Sequence, residues 1–132
     1  RLFEEAVQDR TVRDRGRLAV EKVEAPLLLL SGQQDGVWPS SAFSELVCQR
    51  LKKVGQEFEV THRTYAQAGH MLGPELGYPH RPTGCLMQDE PPCPGAPPGL
   101  YDLGGRPAHQ AHAQRDSWNA LLDFLGRHLK AR

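Results

Sequence analysis

No run of apolar residues in this 132-residue chain approaches the ~18 that a membrane-spanning helix needs, so no membrane span is expected. No sign of charge is in excess: Lys+Arg and Asp+Glu number 16 each, for a formal net charge of zero. That balance leaves no electrostatic footprint for nucleic acid or for an anionic membrane surface. Cysteine is scarce. The three that occur, Cys48, Cys85 and Cys93, are too few and too scattered for a disulfide framework, and their spacing is not that of a zinc site. A reducing, cytoplasmic setting is expected. There is no signal peptide at the charged opening Arg1-Leu2-Phe3-Glu4-Glu5, and Lys130-Ala131-Arg132 is not a peroxisomal ending. No glycine-rich phosphate loop is present, and no cofactor is expected. A Gly-x-Ser-x-Gly or Gly-x-Cys-x-Gly nucleophile elbow is also missing. The chain opens without methionine, as a piece of a longer protein would.

What is there centres on Leu27-Leu28-Leu29-Leu30-Ser31-Gly32-Gln33-Gln34-Asp35-Gly36. Four leucines after Pro26 predict a strand buried on both faces, as in a parallel sheet under helices. Ser40 or Ser41 can cap a following helix, along which Phe43, Leu46, Val47, Leu51 and Val54 recur at helical spacing until Gly55 stops it. The β-rich run over residues 58–65 predicts a second parallel strand, completing a βαβ unit. Before this unit, residues 1–17 predict a short charged surface helix ended by Gly16.

Residues 71–108 hold nine of the eleven prolines and seven of the thirteen glycines. Such composition predicts a long loop, with no helix and no central strand. Trp118, Leu121, Leu122, Leu125 and Leu129 then predict the apolar face of a last helix over residues 109–130, packed back on the sheet.

Asp35 falls at the carboxyl end of the leucine strand, where open α/β sheets gather their chemistry. His70, in Ala68-Gly69-His70, follows the second strand in the same way. Acid before histidine is the chain order of the second half of an α/β-hydrolase triad. Each residue alone also reads as ordinary: an Asp-Gly pair makes turns, and a histidine after glycine suits any loop. Taken as a pair, Asp35 would orient the imidazole and His70 would carry protons to and from a nucleophile. Cys48 reads as a helix core residue, and His109 and His112 read as surface histidines with no further metal ligand nearby. No metal site is expected.

At residues 31–40 the sequence resembles the α/β-hydrolase-type acyl-CoA thioesterases, which share a family with bile acid-CoA:amino acid N-acyltransferase. That family carries a similar Gly-Gln-Asp-Asp stretch followed by Trp and a serine-led helix. Its second acid, the triad aspartate, matches Asp35, and its Gly-His motif matches Gly69-His70. Gly104-Gly105-Arg106-Pro107-Ala108-His109 and Gln114-Arg115-Asp116-Ser117-Trp118 resemble two later landmarks before the last helix. The likeness runs over residues 18–130, with Gln34 in place of the first acid, Met71-Leu72-Gly73-Pro74 after the histidine, and an unusually proline-rich loop at 84–99.

The resemblance implies that residues 1–132 are the carboxyl-terminal part of an α/β-hydrolase domain: parallel strands, flanking helices and an incomplete sheet. An intact domain of that kind takes more than ~200 residues, above the common domain size. The implied activity is hydrolysis of acyl-CoA to fatty acid and CoA by a Ser/Cys-His-Asp triad. Asp35 and His70 would lie in this chain and the nucleophile upstream of it, leaving the chain inactive alone. Transfer of the acyl group to an amino acid is the alternative within the family. A non-catalytic chain that only binds a partner is the alternative from another class.

Overall fold

A computed structural model describes residues 8–73, 85–87 and 100–129. Among the described residues the first helix, α1 (Arg10–Gly16), falls within residues 1–17, of which 1–7 lie outside the described residues. The Asp9 carboxylate accepts from the Thr11 and Val12 N–H groups and so caps it. A 3-10 turn at Val20–Lys22 follows. It is fastened to the next helix by Glu21, whose carboxylate receives Arg50 at 2.6–2.9 Å and is held below the usual carboxylate range by those hydrogen bonds.

Strand β1 (Leu27–Gly32) and strand β2 (Val60–Tyr65) pair in parallel, Leu27 opposite Val60 and Gly32 opposite Tyr65. Helix α2 (Ser40–Val54) makes the crossover between them. The architecture is α/β, two parallel strands with flanking helices in an open, incomplete sheet. Gly55 ends α2 in the left-handed conformation (φ 70°), with its N–H on the carbonyls of the last turn.

Three expectations are corrected. First, the four leucines are only half-buried, and the buried end of β1 is Ser31-Gly32. Among the described residues β1 has one hydrogen-bonded neighbour, β2, so cover is densest where the loops converge. Second, neither Ser40 nor Ser41 caps α2; Pro39 is the N-cap residue, without a side-chain hydrogen bond. Both serines instead sew the helix to the sheet. Ser40 Oγ donates to the Gly32 carbonyl at 3.1 Å, and Ser41 Oγ donates to Ser31 Oγ at 3.1 Å. The buried Ser31 hydroxyl is also 2.8 Å from His62 Nε2 on β2.

Third, residues 71–108 are not all loop. Strands β3 (Cys85–Met87) and β4 (Leu100–Asp102) form a short antiparallel pair, and the last helix, α3 (Pro107–His128), begins inside the segment with Pro107 at its start. Proline suits a first helical turn because its missing N–H would have no partner there. The stretches 74–84 and 88–99 of the expected loop lie outside the described residues. No helix among the described residues is long and apolar enough to cross a membrane.

Helix α3 does pack on the sheet, but on a different face from the expected one. Its buried residues are Gln110, Ala113, Ser117 and Ala120, while Trp118, Leu122, Leu125 and Leu129 are exposed. Small side chains at this spacing let the helix approach closely. Ala113 joins Tyr65 and Ala68 in the core, with Leu30 and Leu72 against them. Tyr65 Oη donates to Asp116 Oδ2 at 2.8 Å and adds a polar tie between β2 and α3.

Candidate active site

Parallel pairing puts the carboxyl ends of β1 and β2 side by side, so the loops that leave them meet. Beyond Gly32 the chain stays attached to the second strand: Gln33 N–H donates to the Tyr65 carbonyl at 3.0 Å and Gln34 N–H to the Ala68 carbonyl at 2.9 Å. Asp35 comes next. Its Oδ1 accepts from the Val37 and Trp38 N–H groups at 2.9 and 3.1 Å, a turn closed by its own side chain. That turn uses Oδ1 and leaves Oδ2 to face the other loop. There, His70 Nδ1 lies 3.0 Å from Asp35 Oδ2, within hydrogen-bond reach.

The pair is asymmetric in exposure: the Asp35 side chain is 3% exposed and that of His70 24%. The Trp38 ring meets the imidazole edge-on, centroids 4.8 Å apart, and limits how the ring can turn. With Nδ1–H donated to the carboxylate, Nε2 is the nitrogen left to exchange a proton.

A third strand of backbone locks the two loops together. The Leu103 carbonyl accepts from both His70 N–H at 2.8 Å and Gly36 N–H at 3.3 Å, and Gly104 forms an isolated antiparallel bridge with Asp35. Arg106 N–H reaches the Gln67 carbonyl at 2.8 Å. The three segments are so close that side chains are excluded. A Cβ on Gly32 would lie 2.3 Å from the Gly69 carbonyl oxygen, one on Gly69 2.3 Å from that of Leu103, and one on Gly104 1.8 Å from that of Gln34. Gly104 and Gly105 also hold positive φ, 69° and 82°.

Helix α3 supplies the last supports. Gln110 Oε1 accepts from Gly69 N–H at 2.6 Å and its Nε2 donates to the Met71 carbonyl. Gln114 Nε2 also donates to the Met71 carbonyl, and Ser117 Oγ donates to that of Leu72. Sequence reasoning singled out Asp35 and His70, which the structure brings together. It gave Gln114 and Ser117 no role beyond their place in a landmark, and it passed over Leu103 and Gln110. The available signal was the i, i+4, i+7 spacing of Gln110, Gln114 and Ser117, a polar stripe on one side of a helix.

The remaining candidates lie elsewhere. Cys48 lines a cavity of about 370 Å³ with Leu51, Lys52, Gln56, Phe58, Val60 and His62, against the amino-terminal half of β2. Burial and the nearby Glu45 carboxylate push its thiol pKa up, which disfavours the thiolate. The side chains of Cys85 and Cys93 lie outside the described residues. His109 and His112 are exposed, and no group of three or more metal-ligating side chains occurs among the described residues.

A family model described as "BAAT / Acyl-CoA thioester hydrolase C terminal" matches residues 2–131. Among curated proteins, the mouse (Mus musculus) Acyl-coenzyme A thioesterase 6 is 26% identical over 113 residues, 85% of this chain and 24% of its own length. The mouse Peroxisomal succinyl-coenzyme A thioesterase is 27% identical over 119 residues, again 85% of this chain and 24% of the relative. The human (Homo sapiens) Acyl-coenzyme A thioesterase 1 is 30% identical over 112 residues, with the same two shares. The chain thus spans about a quarter of the length of these relatives. Two parallel strands that bring an acid and a histidine together, with a match along nearly the whole chain, have one consistent reading: this chain belongs to the BAAT / acyl-CoA thioester hydrolase family, in its carboxyl-terminal part.

Proposed function

We propose that this chain carries the acid and the base of an acyl-CoA thioesterase triad. Residues 1–132 are then the carboxyl-terminal part of the α/β-hydrolase domain, and the protein hydrolyses acyl-CoA to a carboxylic acid and CoA. The observation that carries the reading is the 3.0 Å contact between His70 Nδ1 and Asp35 Oδ2, with the second carboxylate oxygen held by two backbone N–H groups. That arrangement favours the tautomer with Nδ1–H on the carboxylate, which leaves Nε2 for the proton transfer.

In this reading a serine or cysteine outside the 132 residues is the nucleophile. His70 Nε2 takes its proton as it attacks the thioester carbonyl carbon. The tetrahedral intermediate collapses with cleavage of the C–S bond, and the His70 imidazolium returns the proton to the departing CoA sulfur. Water then attacks the acyl-enzyme, giving its proton to His70, and the acid leaves as the nucleophile is reprotonated. Asp35 stays ionised throughout and stabilises the imidazolium in both halves. The raised thiol pKa of Cys48 and its place away from Asp35 and His70 speak against it as the nucleophile.

The names of the relatives, all thioesterases, favour water as the acceptor. The family description also names BAAT, so an amine acceptor is the second reading. In the protein that carries this chain, His70→Ala and Asp35→Asn are each expected to lower kcat by about 10⁴-fold, the scale seen when such a triad loses its orienting acid. Products are resolved by mass spectrometry with glycine or taurine present: free acid supports hydrolysis, an amide supports transfer. Full turnover by His70→Ala would refute the reading.

A further inference from the structure

We propose that Gln110 is the positioning residue of His70. The inference rests on the reading of His70 as the base, and it adds a residue that neither the family match nor the motifs assign. Three observations carry it. Gln110 is 2% exposed, buried more deeply than almost any polar side chain described. Its carboxamide is used at both ends: Oε1 takes the Gly69 N–H and Nε2 gives a hydrogen to the Met71 carbonyl, the two residues that flank His70 in sequence. The clasp is anchored, because Gln110 N–H donates to the Arg106 carbonyl at 2.8 Å while Arg106 N–H is bound to Gln67, just before the histidine loop.

A histidine on a loop after a strand has several backbone arrangements open to it, and the one adopted here puts Nδ1 on Asp35 Oδ2. Gln110 and the Leu103 carbonyl hold that one around His70, with Gln114 adding a second donor to the Met71 carbonyl. Leu103 takes His70's own N–H, and Gln110 takes the groups on either side. An amide side chain is the neutral group of this reach that has an acceptor and a donor on the same carbon. Met, of similar length, can do neither. Glu keeps the acceptor for Gly69 but, when ionised, sets an oxygen against the Met71 carbonyl.

The test uses the protein that carries this chain, with Gln110→Met and Gln110→Glu beside the His70→Ala control. Two readouts are taken on each folded variant. The first is the split between kcat and KM. The second is the proton resonance of His70 Nδ1–H, far downfield while it is bonded to Asp35. Gln110→Met is expected to lower kcat by about 100-fold, the cost of misplacing a catalytic group by about 1 Å, with KM within about twofold. The downfield resonance should weaken or vanish, and Gln110→Glu should fall between the two. Should Gln110→Met not fold, Gln110→Glu decides by the same two readouts. A folded variant that keeps both kcat and the resonance overturns the proposal. Activity retained by His70→Ala would instead overturn the proposed function, and the resonance would still judge Gln110.

Discussion

Gly104→Ala and Gly55→Ala form a pair that separates backbone strain from collision. Both glycines sit in the left-handed region, φ 69° and φ 70°. An alanine in that conformation costs about 1 kcal/mol at either place. At Gly55, past the end of α2, a Cβ meets nothing within 4 Å, so this is the whole cost. At Gly104 the Cβ would sit 1.8 Å from the Gln34 carbonyl oxygen, 2.8 Å from Gly36 N and 2.9 Å from the Gln34 carbonyl carbon, all backbone. Restoring even a 3.0 Å contact to that oxygen needs a displacement of 3.0 − 1.8 = 1.2 Å. Forcing atoms into a packed interior costs a further ~1–3 kcal/mol. The loss should be about 2–4 kcal/mol for Gly104→Ala and about 1 kcal/mol for Gly55→Ala. The displaced atoms belong to the residues on either side of Asp35, so the shift is comparable to the tolerance of its 3.0 Å bond to His70. Activity should fall by about 100-fold in Gly104→Ala and be unchanged in Gly55→Ala. The assay is acyl-CoA hydrolysis on the full protein, with denaturant unfolding on the same samples. Equal losses in the two variants, or full activity in Gly104→Ala, would refute the claim that three glycine-packed backbones set the pair.

Gly126→Ala, in α3 with no atom within 4 Å of the new Cβ, should raise stability by about 0.5–1 kcal/mol through helix propensity, read as a higher denaturation midpoint. Burial, followed by the Asp116 hydrogen bond and charge, pushes the Tyr65 pKa up to about 12. The neutral phenol is thus favoured by folding, and its stabilisation is complete below pH 10 and disappears as pH rises through about 12. Denaturation from pH 9 to 12 should show an alkaline fall that Tyr65→Phe lacks; parallel curves would count against the tie. Asp116 moves the other way, its pKa lowered first by the Tyr65 hydrogen bond, so its contribution is present above the ordinary carboxylate range and lost as pH falls through the folded value. The 132 residues expressed alone should self-associate through the exposed Trp118, Leu122, Leu125 and Leu129, and Trp118→Glu with Leu122→Glu should reduce the mass seen by light scattering. A wild-type monomer with one sharp unfolding transition would contradict this.

The α/β class, the parallel βαβ unit, the Gly55 stop and the positions of Asp35 and His70 were legible in the sequence. Each follows from local rules: an apolar run between breakers, helical spacing, a glycine where φ turns positive, polar residues just past strand ends. The resemblance to the thioesterases was carried by ordered short motifs, which also act locally along the chain. What the sequence could not decide was which of two stripes on α3 faces inward. Trp118, Leu122, Leu125 and Leu129 have the apolar periodicity, yet Gln110, Ala113, Ser117 and Ala120 are the residues buried. The side that packs was settled by what the partner offers. The histidine loop presents the Gly69 N–H and the Met71 and Leu72 carbonyls, which would be costly to bury unpaired, and the polar stripe satisfies them. Likewise Ser40 and Ser41 look like helix caps until β1 places the Gly32 carbonyl and the Ser31 hydroxyl within their reach. Gly104 reads as one more glycine in a proline-rich segment, and only the tertiary structure brings it against Gln34, Asp35 and Gly36. Periodicity reports which residues can be buried, whereas hydrogen-bond demand from segments far along the chain decides which ones are.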